Sequence, residues 1–395
     1  MSILKIPQNL STETLEELFK SLGGTSKNVD LQIPIEIDYR GFGVLPTLFL
    51  FFFTWIRKKE GRLIIPIKKE TIETDTKDLE KLFLRDYYGY LLISTIWKQR
   101  EIVNLEGNSL KLYFNNYTKR MHEQIDFLFG LPNESIVIPC FDHYSKEKGL
   151  SHWFYSTSFI FAEAPSSLDT SVVRFFEALA KNFKTKIYGA TKEALEDIQK
   201  ILWELLKNTH EHATKDYLNQ ATLNPSTRGL YMRIQRGSKK SFIENAKGNK
   251  GLTEYYNKSL QEGLNFLLEI TVFDSGPGLA KRFLGNKWTQ NISMDDEVNT
   301  IKRCLIKGQT SVVDLNGINK GYGLHDVLNV LSRLKGFLKI RSGRASIYRD
   351  LIKSPHTNAE TTENIDLFDW SNSTKDYIEM SNTEGTSISL VYSIN

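Results

Sequence analysis

The chain has 395 residues, 40% of them hydrophobic and 25% charged, the composition of a folded globular protein rather than a disordered or fibrous one. Its 51 Lys+Arg against 47 Asp+Glu leave a net charge of only +4, too little for a protein that holds nucleic acid by its overall field. The length predicts two or three domains, and two cysteines in unrelated contexts, Cys140 and Cys304, argue against a disulfide framework.

Ser11–Leu22 has the apolar spacing of a short amphipathic helix ending at Gly23-Gly24. Val29–Asp38 alternates apolar and polar residues as a half-buried strand does. Arg40-Gly41-Phe42-Gly43 then turns into the apolar run Val44–Ile56, and Arg62–Ile67 follows as another strand. The run contains Pro46 and falls short of the roughly 20 apolar residues that span a bilayer, so it reads as a buried helix. No transmembrane segment is expected. No basic-then-apolar leader opens the sequence, and the expected location is cytoplasmic. Strand, glycine turn, helix and strand form a small α/β unit that joins its strands in parallel. Leu79–Trp97 reads as a helix, Ser135–Pro139 as a buried strand and Leu168–Phe183 as an amphipathic helix. His143 and His152 stand near Cys140 and Asp142, but at no spacing familiar for zinc.

The second half opens with Asp197–Ala213, whose Ile198, Ile201, Leu202 and Leu205 form one helical stripe. Glu204 and Asn208 stand one turn apart on its flank. A carboxylate and a carboxamide so placed could serve one substrate, the first orienting water and the second binding a metal ion. Gly229–Arg236 and Leu264–Asp274 read as neighbouring strands around a polar insertion, Gly237–Glu262, expected as a surface hairpin or loop. In Phe266–Asp274 the parity is informative. Leu268, Ile270 and Val272 share a face with Asp274, while Glu269 and Thr271 share the other. Ser275-Gly276-Pro277-Gly278 follows at once, with glycines that allow close backbone approach to a flat ligand. Met294–Lys307 is a predicted helix. After a glycine- and threonine-bearing segment, Gly321-Tyr322-Gly323-Leu324 opens the helix His325–Leu334, where exposed amides can face an anion. Gly336–Arg341 and Ser346–Leu351 read as strands, and a second polar insertion, Lys353–Glu384, precedes the last strand, Gly385–Tyr392. There Thr386 shares parity with Ile388 and Leu390.

E-x-x-x-N on a helix, DSGPG after an apolar strand, GYGL opening a helix and GT before the final strand resemble, in that order, the GHKL ATPase family. That family includes gyrase-type topoisomerases, MutL, the heat-shock chaperone ATPases, histidine kinases and anti-sigma-factor kinases. The resemblance covers Leu168–Asn395, and ELLKNTHEHA is closest to the anti-sigma-factor-kinase branch. It implies a Bergerat α/β sandwich, with helices on one face of a mixed sheet, that binds ATP with Mg²⁺. Asn208 would hold the ion against the phosphates and Glu204 would orient the attacking water. Asp274 would accept the adenine amino hydrogen, with Thr386 beside it through a water, and Gly276 and Gly278 would let the backbone pass the base. Gly308–Gly323 would be a mobile lid, with Lys320, Gly321, Tyr322, Gly323 and Leu324 at the phosphates. The element order of the first part is similar to the STAS-like domains that often accompany this family.

The expected organisation is therefore an N-terminal α/β domain, STAS-like or a scaffold, over 1–165. An ATP-binding domain over 166–395 follows, with insertions at 237–262 and 353–384. The implied function is slow ATP hydrolysis, with lid closure switching a protein partner or a homodimer in bacterial signalling or defence. Two rivals stay open: a protein serine/threonine kinase, and a module that binds nucleotide without turning it over.

Overall fold

The helix after Gly43 is apolar on every side, a pattern that needs cover all round. The structure is a computed structural model that describes residues 2–67, 87–129, 135–181, 195–246, 248–308, 323–357 and 359–394, and it supplies that cover from two sheets. The first is parallel, in the order β1 (Ser2–Lys5), β2 (Val29–Gln32), β3 (Leu63–Ile64) and β4 (Ile102–Val103). Parallel strands need crossovers, and α1 (Thr12–Gly24) and α2 (Val44–Lys58) are two of them. Ser11 caps α1 by accepting the Thr14 N–H. Every residue of Val44–Ile56 is buried. On one side of α2, Phe51 meets Phe19 of α1 edge-on at 5.3 Å, and Trp55 donates its indole N–H to the Val29 carbonyl. On the other side, Phe49 and Phe53 pack on Phe273 of the second sheet, with ring centroids 4.9 and 6.4 Å apart.

After α3 (Tyr87–Ile96) and α4 (Lys111–Phe127), strand β5 (Ser135–Phe141) enters that second sheet and pairs with β6 (Thr227–Ser238). The strand order thus crosses residue 165, and one hydrophobic core runs from α1 through α2 to the helices beyond the large sheet. Those helices are α5 (Asp169–Ala180) and α6 (Leu195–His212). The chain continues through β6, α7 (Lys239–Asn245), α8 (Lys250–Ser259), β7 (Leu264–Asp274), α9 (Leu279–Leu284), α10 (Met294–Cys304) and α11 (Gly323–Arg333). Strands β8 (Phe337–Ser342), β9 (Ala345–Asp350), β10 (Phe368–Asp369) and β11 (Thr386–Ser393) complete it.

The seven strands run β10-β9-β8-β11-β7-β6-β5, every neighbouring pair antiparallel. Two expectations are corrected here. The large sheet is antiparallel rather than mixed, the parallel strands being segregated in the small sheet. Helices also cover both of its faces. Helices α5, α6 and α11 lie over the face of Leu268, Ile270 and Val272, while α2, α3, α7 and α8 lie over the face of Glu269 and Thr271. That second face is polar in sequence yet closed to solvent, and the polar groups that β7 sends into it find partners inside the protein. Glu269, with 0% exposure, accepts from the Gly43 amide, Arg233 Nε and Gln235 Nε2, and Thr271 donates to Ser389.

The insertion expected as a surface hairpin is also corrected. Ser238 and Asn249 cap α7 and α8 through their side chains, and Phe242, Leu252, Tyr255 and Tyr256 bury against Phe337, Tyr348 and Trp370. Lys240, Asn245, Gly248, Lys250, Asn257 and Lys258 are exposed, and their polar run hides four buried anchors. The second insertion contributes the edge strand β10 and the buried Trp370. Among the described residues no helix is long and apolar enough to cross a membrane.

Candidate functional site

Register sets the floor of the site. Asp274, the last residue of β7, stands opposite Thr386 of β11 on one side and Arg228 of β6 on the other, and Thr386 in turn faces Ser342 of β8. All four share the parity of the apolar face under α6 and α11. Where the strands end, that face opens into a cavity of about 600 Å³. Glu204, Asn208, Asp274, Gly278, Gly323, Leu324 and Thr386 all line it, from four separate parts of the sequence. Gly276 does not. Lys320, Gly321 and Tyr322 lie outside the described residues, as does nearly all of the segment expected as a lid.

At the strand end, Asp274 Oδ1 accepts the Gly276 amide at 2.7 Å. Burial pushes this carboxyl up to about 6, against the pull of the amides of Gly276 and Thr386 and of the Arg57 and Arg228 guanidiniums. Thr386 Oγ1 shares a 3.0 Å hydrogen bond with Ser342 Oγ, which also accepts the Leu279 amide. Gly276 has a different task from the one expected. A Cβ there would stand 2.8 Å from the Ala213 Cα, so the missing side chain lets the turn seat against the end of α6 while its amide orients Asp274.

At the helix end, Glu204 and Asn208 face the cavity from successive turns of α6, whose Ile198, Ile201, Leu202 and Leu205 are buried beneath. Burial raises the Glu204 carboxyl above its ordinary range; Asp326 and Glu211 add to this, and Lys207 and Lys200 oppose it. The first residue of α11 lies over the pair, since a Cβ on Gly323 would come 2.7 Å from Glu204 Oε2 and 3.4 Å from Asn208 Nδ2. Among the described residues, no side chain or backbone group hydrogen-bonds the Glu204 carboxylate or the Asn208 amide. No three His, Cys, Asp or Glu side chains converge on a metal position among the described residues.

Sequence reasoning missed several residues at the site. Ser342, which bonds Thr386 without itself lining the cavity, lies one step past the strand read from Gly336–Arg341 and shares parity with Leu338 and Ile340, which would have placed it. Asp326, one helical turn after Gly323, lines the cavity and pairs with Lys200 at 3.2 Å. Lys207 and Arg282 add positive charge to the walls. Cys140, Asp142 and His143 serve the sheet edge instead. Asp142 pairs with the buried Arg228 at 2.8 Å, and His143 Nδ1 lies 2.8 Å from the Ser226 carbonyl. No family model, curated protein or solved structure matches the chain.

Proposed function

We propose that this cavity binds ATP with Mg²⁺ and hydrolyses it slowly, and that the second half of the chain is a GHKL-type, Bergerat-like ATPase unit that switches a protein partner. The observation that carries the reading is that residues of four motifs distant in sequence line one cavity, Asp274 and Thr386 at its strand end and Glu204, Asn208 and Gly323 at its helix end. Asp274 accepts the exocyclic amino hydrogen of adenine, with Thr386 beside it on the cavity wall and Ser342 holding the Thr386 hydroxyl from behind. The Asn208 amide oxygen holds the metal ion, which supplies charge neutralisation at the phosphates. Glu204, desolvated but unpaired among the described residues, orients water and takes its proton. Phosphoryl transfer is mostly positioning and charge stabilisation, so this inventory suffices.

Single-turnover phosphate release beside a calorimetric ATP titration, with and without Mg²⁺, tests the reading. Glu204→Ala is expected to bind Mg²⁺-ATP like wild type and to release phosphate at least roughly a hundredfold more slowly. Asn208→Ala is expected to lose the Mg²⁺-dependent part of binding. A Glu204→Ala protein that hydrolyses at the wild-type rate ends this mechanism. Transfer of label to a co-purified protein would reassign Glu204 to activating a serine or threonine hydroxyl.

A further inference from the structure

We propose that Arg57, on α2 and outside the cavity, is a positioning residue for its base-binding end, through which the parallel-sheet unit sets nucleotide affinity. The proposal rests on the ATP reading above. Its side chain is only 14% exposed, and its guanidinium reaches three loops at once. One nitrogen, Nη1, donates to the Gly276 carbonyl at 3.4 Å and to Glu384 Oε2 at 3.3 Å. The other, Nη2, donates to the Pro225 carbonyl at 3.3 Å and to Ser275 Oγ at 3.4 Å. Gly276 and Ser275 form the turn whose amide orients Asp274, Glu384 immediately precedes the turn into Thr386, and Pro225 precedes β6. Ser275 Oγ in turn accepts the Thr227 amide at 2.9 Å.

The end of α2 repeats the grip. Thr54 Oγ1 accepts the Glu384 amide at 2.9 Å, and Lys58 donates to the Asn382 carbonyl at 3.0 Å. One helix of the first sheet's unit therefore holds both turns that deliver Asp274 and Thr386. Each Arg57 bond is long and weak alone. Their value lies in the fork, because a planar guanidinium spans several acceptors where an ammonium is a point charge. The helix itself stays anchored through Phe49, Phe51 and Phe53, so losing the fork frees the turns without removing the helix.

The charged groups near Asp274 are Arg57 from α2 and Arg228 from β6, with amides from Gly276 and Thr386. Two measurements on the full chain follow: ATP hydrolysis and binding, and titration of the Asp274 carboxyl by carbon-13 NMR without ligand. Arg57→Met is expected to raise the ATP Kd and KM by roughly tenfold or more with kcat unchanged, since Glu204 lies at the other end. It should also shift the Asp274 midpoint upward. Arg57→Lys, which keeps the charge but not the fork, should restore the midpoint and recover only part of the affinity. It also decides the matter should Arg57→Met fail to fold. Wild-type ATP binding with unchanged affinity in folded Arg57 variants overturns the inference and leaves the ATP reading standing. If wild type binds no ATP, that reading fails. The ligand-free titration still judges Arg57, and an unmoved Asp274 midpoint in Arg57→Met overturns it.

Discussion

On β7, Glu269 and Thr271 point to one side while Ile270, Val272 and Asp274 point to the other, and the two sides treat their polar groups in opposite ways. Toward α2, Glu269 is saturated by an amide, a guanidinium and a side-chain amide, and Arg341 is held by Glu16 of α1 at 2.8 Å. Toward α6, Asp274 keeps one short bond from its own turn, and Glu204 and Asn208 have no hydrogen-bond partner among the described residues. Buried polar groups cost free energy unless satisfied. The Glu269 cluster is therefore built for cohesion, although the same face leaves Lys339 Nζ and Tyr231 Oη without hydrogen bonds among the described residues, and the open groups of the other face suit the proposed ligand. Substitutions on the two faces should separate stability from binding.

The largest effect is expected on the closed face. Glu269→Ala removes the only carboxylate bonded to Arg233 among the described residues and leaves a buried charge without its counter-ion, a loss of about 3–5 kcal/mol in unfolding free energy. Urea unfolding measures it, and ATP affinity in the fraction that stays folded should not move. A loss below about 1 kcal/mol would show that water compensates Arg233 and that the contrast between the faces is overstated.

Much of the open face was legible because alternation is a local property. Phe266–Asp274 carries a period of two that puts Asp274 with Ile270 and Val272, and Ile198, Ile201, Leu202 and Leu205 fix which side of α6 is buried and hence where Glu204 and Asn208 sit. The closed face was not legible. Alternation says which residues share a side but not what covers them, and the partner of Glu269 is an amide 226 positions earlier. An all-apolar helix such as Val44–Ile56 announces burial without naming its neighbours. The helices α7 and α8 were hidden because their anchors are sparse in a polar stretch. Gly276 was assigned to the ligand when its close contact is with Ala213, a distinction only the packing of α6 can make.

The next effect concerns Asp274 and pH. Its carboxyl midpoint rises from 3.8 to about 6 on folding, so between those values the folded protein holds a proton that the unfolded chain has released. This group therefore makes the ligand-free protein more stable as pH falls through that window. Adenine binding needs the carboxylate as acceptor, so ATP affinity should fall about tenfold per unit below pH 6, in the opposite direction. Asp274→Asn should bind weakly at every pH and remove both trends. Calorimetric titrations and thermal melts from pH 5 to 8 check the pair. Affinity and stability falling together on acidification would mean that another group controls binding.

The smallest effect belongs to Gly323, where the comparison becomes a matter of which atoms can give way. A side chain at this position meets Glu204 Oε2 at 2.7 Å and Asn208 Nδ2 at 3.4 Å, both at the ends of side chains that can swing. The fold should therefore tolerate Gly323→Val, unlike a clash against backbone such as a side chain at Gly276 would make with Ala213. What the valine displaces is the pair that meets the phosphates, and the Asp274 end keeps its geometry. ATP should weaken by roughly tenfold, the low end of an overpacking cost, while adenosine changes by less than about twofold. Competition titrations of both ligands against wild type read the difference. Equal losses for ATP and adenosine would say that the helix start of α11 has moved as a whole, and that the carboxylate–amide end and the base end are not independent halves of the cavity.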